Sequence, residues 1–176
     1  MLKQFLNKVL AGQDLTREEM SQAVGLVMDG QGSPTQVAGL LVALRAKGEA
    51  VSEIAGAAEA MRARMNKFEV SRRPLIDTCG TVGSGTGSFN ISTAVAFVAA
   101  SAGVAVAKHG NKAISSKSGS ADVLSSLGVH ITADLSIMQQ CIEDLGVGFL
   151  FAPNFHPAMK HAGVVRRELG IRTIFN

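Results

Sequence analysis

The stretch DTCGTVGSGTGSFNIST, residues 77–93, decides how the chain folds. Residues 75–78 are apolar at the start and predict a short strand. Residues 92–101 have helical spacing. Between them lie Gly80, Gly83, Gly85 and Gly87, which open backbone angles closed to other residues and let N–H groups approach a ligand closely. The start of the following helix adds free N–H groups and a partial positive charge. Thr81, Ser88, Ser92 and Thr93 add hydroxyls. A strand, a glycine loop and a hydroxyl-rich helix start together form a cradle for a phosphate or diphosphate. The loop is neither a nucleoside-triphosphate P-loop, since Lys-Ser/Thr does not follow Gly85, nor a dinucleotide fingerprint, since its glycines alternate as G-x-G-x-G. The plain alternative is a solvated strand–helix connection. Loop position and hydroxyl content both favour the anion site.

Working outward, further apolar runs at 104–108, 149–151 and 171–175 predict strands. Helical patterns fall at 120–127, 135–145 and 157–169. Strand–helix alternation of this kind implies a mostly parallel sheet with helices on its faces. The last strand would end at the final residues, although a parallel sheet needs cover on both faces; the α/β part therefore reads as partial, an apparently truncated domain. Residues 1–67 read as helices only. Thr16 and Glu19 form a capping-box pattern. Ser33 before Pro34 marks a second helix start, and Ser52 a third. The expected organisation is a helical bundle over 1–67, a linker FEVSRRP at 68–74, and an α/β domain over 74–176.

Two further segments lie at strand ends, where open parallel sheets bind ligands. Lys108-His-Gly-Asn-Lys112 offers a point charge at Lys108, a titratable ring at His109 and a mixed donor–acceptor at Asn111. The segment 114–120 carries Ser116 and Ser120 among its hydroxyls and precedes a helix. Arg166, Arg167, His156 and His161 belong to the last helical stretch. Taken singly, each has the plain reading of a solvated or structural side chain; three such loops on one sheet edge favour a binding role.

Composition narrows the classes. With 47% hydrophobic and 18% charged residues, the chain can build a packed core and is not of a disordered type. A net charge of +3 suits an anionic small molecule and argues against nucleic acid. Cys79 and Cys141 have no metal-ligand spacing and suit a reducing, cytoplasmic setting. No run reaches the roughly 20 apolar residues of a membrane span.

GTVGSGTGSFNIST (80–93), KHGNKAISSKSGSADVLSSLGV (108–129) and FAPNFHPAMKHAGVVRRELGIRTIFN (151–176) resemble three consecutive signatures of the anthranilate phosphoribosyltransferases. The helical start, with LTREEM and LRAKGE, also fits that family. The resemblance covers the whole chain. It implies a small N-terminal helical domain followed by an α/β domain of the nucleoside phosphorylase / phosphoribosyltransferase type. The activity it implies is transfer of phosphoribosyl from phosphoribosyl pyrophosphate (PRPP) to anthranilate in tryptophan biosynthesis, with Mg2+. The implied assembly is a homodimer through the helical domain.

Carried over by position, the resemblance assigns Gly80, Thr81, Gly83, Ser84, Thr86, Asn90, Ser92, Thr93, Lys108, Ser116 and Ser120 to the donor, with Ser92 also touching Mg2+. Gly80, His109, Asn111, His156 and Arg166 fall to the acceptor. No covalent protein nucleophile is implied, because the aromatic amine of anthranilate is itself one.

Two departures stand out. Where the family has Gly-Thr-Gly-Gly-Asp, this chain has Gly80-Thr81-Val82-Gly83-Ser84. A β-branched Val82 at a positive φ would cost at least about 1 kcal/mol, and Ser84 lacks the carboxylate. Family members are also much longer, and their later Asp-Glu pair for Mg2+ has no counterpart here; the expectation is that this chain alone is inactive or nearly so. The alternatives are a pyrimidine nucleoside phosphorylase-like enzyme, a nucleic-acid-binding relative of the same fold, and a non-catalytic folding or dimerisation module.

Overall fold

Local capping chemistry sets the helices of the N-terminal part. Thr16 accepts the Glu19 N–H while the Glu19 carboxylate accepts the Thr16 N–H, and Ser33 and Gln36 repeat this reciprocal pair ahead of Pro34. The computed structural model describes residues 1–79, 89–113 and 118–175. Its elements run α1 (Leu2–Leu10), α2 (Arg17–Met28), α3 (Pro34–Lys47), α4 (Val51–Arg64), β1 (Leu75–Ile76), α5 (Ile91–Ser101), β2 (Ala105–Gly110), α6 (Ser120–Ser126), α7 (Leu135–Leu145), β3 (Val147–Phe151), α8 (Ala152–Phe155), a 3₁₀ turn (Pro157–Met159) and α9 (Lys160–Leu169). The chain divides into two units, Met1–Met65 with His156–Asn176, and Asn66–Phe155.

The first unit is helical and built from two separate pieces of chain. Leu15, Met20, Leu40 and Leu44 form its fully buried centre, and Ala162 and Val165 of α9 join the same core. Ile174 and Phe175 pack against it as well. Helices α2 and α4 approach closely at Gly56, where a Cβ would collide with the carbonyl oxygen of Arg17. One sequence expectation is corrected. Residues 171–175 are not a strand but an irregular segment with turn geometry at its end, and Ile174 and Phe175 pack on the helical core instead of a sheet edge.

Glu53 organises this unit from inside. It is 0% exposed. Its Oε1 accepts the Leu15 N–H at 3.0 Å, and its Oε2 accepts the Ala50 N–H at 2.7 Å and Lys47 Nζ at 3.0 Å. Helix α4 therefore starts after Ala50, and the expected Ser52 cap is corrected: Ser52 Oγ donates to the Leu15 carbonyl at 2.9 Å. Burial pulls the Lys47 ammonium downward, but hydrogen bonds to Asp14 and Glu53 outweigh it and leave its pKa raised.

The second unit holds a three-stranded parallel sheet in the order β1-β2-β3. Leu75 pairs with Ala105, Lys108 with Phe149 and His109 with Leu150. Alternation along the strands sorts side chains to two faces. Ala107 and Leu150 pack with Met138 and Ile142 of α7, while Phe149 packs with Ala121 and Leu124 of α6. The 68–74 stretch is not a free linker: Val70 is buried with the α7 cluster, and Ser71 donates from its backbone N–H and its hydroxyl to the Glu143 carboxylate.

Replacing Glu53 with Ala strands the buried Leu15 N–H, frees the Ala50 N–H and leaves Lys47 with only Asp14 and the Gly48 carbonyl, and is expected to cost about 3–5 kcal/mol. Glu59→Ala, which breaks the exposed pair with Arg17, should cost no more than about 1 kcal/mol. Urea unfolding followed by circular dichroism separates the two.

Candidate functional site

The C-terminal ends of β1 and β2 lie side by side, and the start of α5 joins them. Lys108, near the end of β2, is only 3% exposed. Its Nζ donates to the Thr78 carbonyl at 2.5 Å and to Ser92 Oγ at 3.5 Å. Thr78 Oγ1 in turn donates to the Ser92 carbonyl at 2.7 Å. A lysine, the strand end before the glycine loop and the first turn of α5 thus form one cluster. Burial pushes the Lys108 pKa down, with Asp77 and Cys79 opposing. Thr93, on the same helix start, is 4% exposed, and its Oγ1 has no hydrogen-bond partner among the described residues.

His109 projects to the other face of the sheet from Lys108, as alternation requires. Its backbone N–H donates to Asp77 Oδ1 at 3.1 Å. Burial lowers the ring pKa, with Asp77 raising it and Lys108 lowering it further. Asn111 accepts the Lys112 N–H at 2.8 Å through its side-chain oxygen, and its carbonyl accepts the Ala121 N–H at 3.2 Å. Asn90 precedes α5, and its Nδ2 donates to the Ser118 carbonyl at 3.4 Å.

Asp122 ties down both ends of the hydroxyl-rich segment. One of its oxygens accepts the N–H groups of Ala113 and Gly119, each at 2.8 Å. These bonds hold its pKa below the usual carboxylate range. Gly119 has to be glycine, since a Cβ there would stand 2.6 Å from both the Ala113 nitrogen and the Asn111 carbonyl oxygen.

Lys108, Ser92, Thr93, Asn90, Asn111, His109 and Ser120 therefore all lie in the second unit, around the β1 and β2 ends and the starts of α5 and α6. Gly80, Thr81, Gly83, Ser84, Thr86 and Ser116, with Val82, lie outside the described residues. His156 and Arg166 belong to the other unit. There, Arg166 stands over the Phe175 ring, 5.9 Å from guanidinium carbon to centroid. Burial lowers its pKa, and its Nε has no hydrogen-bond partner among the described residues. Sequence reasoning overlooks Asp77, Thr78 and Asp122. The signal for Asp122 is present: an acid three residues after Gly119 matches the position from which a side chain reaches back to a helix start.

No group of three or more His, Cys, Asp or Glu able to hold a metal occurs among the described residues. Ser92 supplies one hydroxyl, beside a cation.

Residues 3–65 match the family model "Glycosyl transferase family, helical bundle domain", and residues 72–176 match "Glycosyl transferase family, a/b domain". The chain belongs to this glycosyl transferase family. Among the family's curated members, it is 57% identical over all 176 residues to the anthranilate phosphoribosyltransferase of Anaeromyxobacter sp. (strain K), of which it covers 52%. The crystal structure of anthranilate phosphoribosyltransferase from Thermus thermophilus superposes with a TM-score of 0.90 at 51% identity, over 97% of this chain and 52% of that one. The Saccharomyces cerevisiae enzyme in complex with PRPP and Mg gives 0.89 at 30% identity, over 99% and 52%. This glycosyl transferase chain thus spans about half the length of the relatives it matches.

Asp122 supports the turn it anchors only while ionised. Its folded pKa is depressed, so the contribution is complete above the unfolded value of about 3.9 and is lost as pH falls through the folded one. The amide resonances of Ala113 and Gly119 should move together with the Asp122 carboxyl below about pH 4. In Asp122→Ala both should sit at their released positions at neutral pH.

Proposed function

We propose that this chain carries the donor-holding part of an anthranilate phosphoribosyltransferase, the activity being transfer of phosphoribosyl from PRPP to anthranilate in tryptophan biosynthesis. The observation that carries this reading is the buried Lys108 ammonium, held against Thr78 and Ser92 beside the glycine loop. An ammonium taken out of water is costly unless it is paired. An incoming diphosphate would add the counter-charge that a carbonyl and a hydroxyl only partly supply.

In this reading Ser92, Thr93, Asn90, Lys108 and Ser120 hold the donor phosphates, together with Gly80, Thr81, Gly83, Ser84, Thr86 and Ser116. The unpartnered Thr93 hydroxyl at the start of α5 is available for a phosphate oxygen. Gly80, His109, Asn111, His156 and Arg166 are assigned to the acceptor. In the reaction the bond between ribosyl C1 and the pyrophosphate oxygen breaks. The anthranilate nitrogen forms the new bond to C1 and loses a proton, and pyrophosphate departs. The protein's share is positioning and neutralisation of the leaving charge. Ser92 would be the residue to hold a Mg2+ ion, which would supply further neutralisation of the leaving charge.

A homodimer through the helical domain and a cytoplasmic location complete the proposal; no helix among the described residues is long and apolar enough to cross a membrane. The phosphorylase alternative is less favoured, because eight curated relatives at 51–57% identity are all anthranilate phosphoribosyltransferases.

Calorimetric titration with PRPP, with and without Mg2+ and followed by anthranilate, tests the proposal. Donor binding that Lys108→Met weakens at least tenfold, about 1.4 kcal/mol, is the expected result. Absence of any donor binding by the wild-type chain would refute it. The isolated 176-residue chain is expected to show little or no turnover.

A further inference from the structure

Strand β1 is only two residues long and ends at Ile76, whereas β2 continues to Gly110. His109 keeps its ladder partner Leu150 on the β3 side, but on the β1 side the backbone pairing stops at Ile76 and Val106. The Asp77 side chain takes over there, accepting the His109 N–H at 3.1 Å. The next residue, Thr78, accepts Lys108 Nζ through its carbonyl at 2.5 Å and donates its hydroxyl to the Ser92 carbonyl. Consecutive residues 77 and 78 thus staple the end of β2 to the strand leading into the glycine loop. Asp77 is exposed, so no core packing accounts for an acid at this place.

An acid at the rim of an anion site is an unfavourable choice on charge alone. It is understandable if its geometry is needed. Resting on the donor-binding reading above, we propose that Asp77 is a positioning residue: by accepting the His109 N–H it fixes the Lys108–Asn111 arm at the angle a diphosphate ligand requires. The charged groups around that arm are Lys108, the His109 ring, the Cys79 thiol and Asp77 itself. Asp77 acts through the backbone of its neighbour and touches no reacting atom.

The test uses the full 176-residue chain, with inorganic pyrophosphate as the probe, and compares wild type, Asp77→Asn and Asp77→Ala. Asp77→Asn keeps an oxygen that can accept the same N–H and loses only the charge. Asp77→Ala loses both. The expected result is about tenfold weaker pyrophosphate binding for Asp77→Ala, with the His109 amide resonance shifted away from its hydrogen-bonded position. Asp77→Asn should recover most of the affinity and keep that resonance in place, although its His109 ring should titrate at lower pH. Wild-type affinity in Asp77→Ala would overturn the proposal, as would an Asp77→Asn variant as weak as Asp77→Ala. A wild-type chain that does not bind pyrophosphate would count against the donor-binding reading instead. In that case the His109 amide resonance still reads the anchor, and no movement in Asp77→Ala overturns it.

Discussion

An ammonium out of water is the constraint around which the α/β unit is arranged. Lys108 occupies a position on β2 whose side chain is buried beside Phe149. Its long apolar stem can be buried without penalty, but its head group cannot. The Thr78 carbonyl and the Ser92 hydroxyl answer that demand, and answering it determines where β1 must end and where α5 must begin. Those two points are also the flanks of the glycine loop. The lysine therefore links sheet, loop and helix start in one place, and a change in any of them disturbs the others.

Parallel topology does the rest. Since β1, β2 and β3 run the same way, their carboxyl ends share an edge, and each connection that leaves this edge enters a helix by its amino terminus. Side-chain alternation then separates roles: Lys108 faces the α5 and α6 side, and His109 the α7 side. Asp122 draws Ala113 and Gly119 together, so the hydroxyl-rich segment starts and ends at nearly the same point.

Much of this is legible in the sequence where the determinants are local. The Thr16–Glu19 capping pair and the Ser33 cap before Pro34 are local, and both form as expected. The alternation of apolar runs and helical spacing implies the parallel sheet, and the span of α7 matches its pattern. What is not legible depends on partners far along the chain. The helical pattern at 157–169 does not say that Ala162 and Val165 of α9 share a core with α1–α4. Ile171, Thr173, Ile174 and Phe175 have strand-like residue types, yet Ile174 and Phe175 pack against the helical core. Ser52 has the chemistry of a cap, but the longer Glu53 side chain reaches back to Ala50 and leaves Ser52 for Leu15. Nor does any pattern distinguish a buried lysine from a solvated one; Lys108 reads as an open charge and is instead almost fully covered.

The helical unit is discontinuous in sequence: Met1–Met65 and His156–Asn176 share one core, with the whole sheet-bearing segment between them. During translation the first four helices leave the ribosome well before α9 exists. Until then the partners Ala162, Val165, Ile174 and Phe175 are missing from that core. Completion of the amino-terminal body therefore waits for residues made after β3.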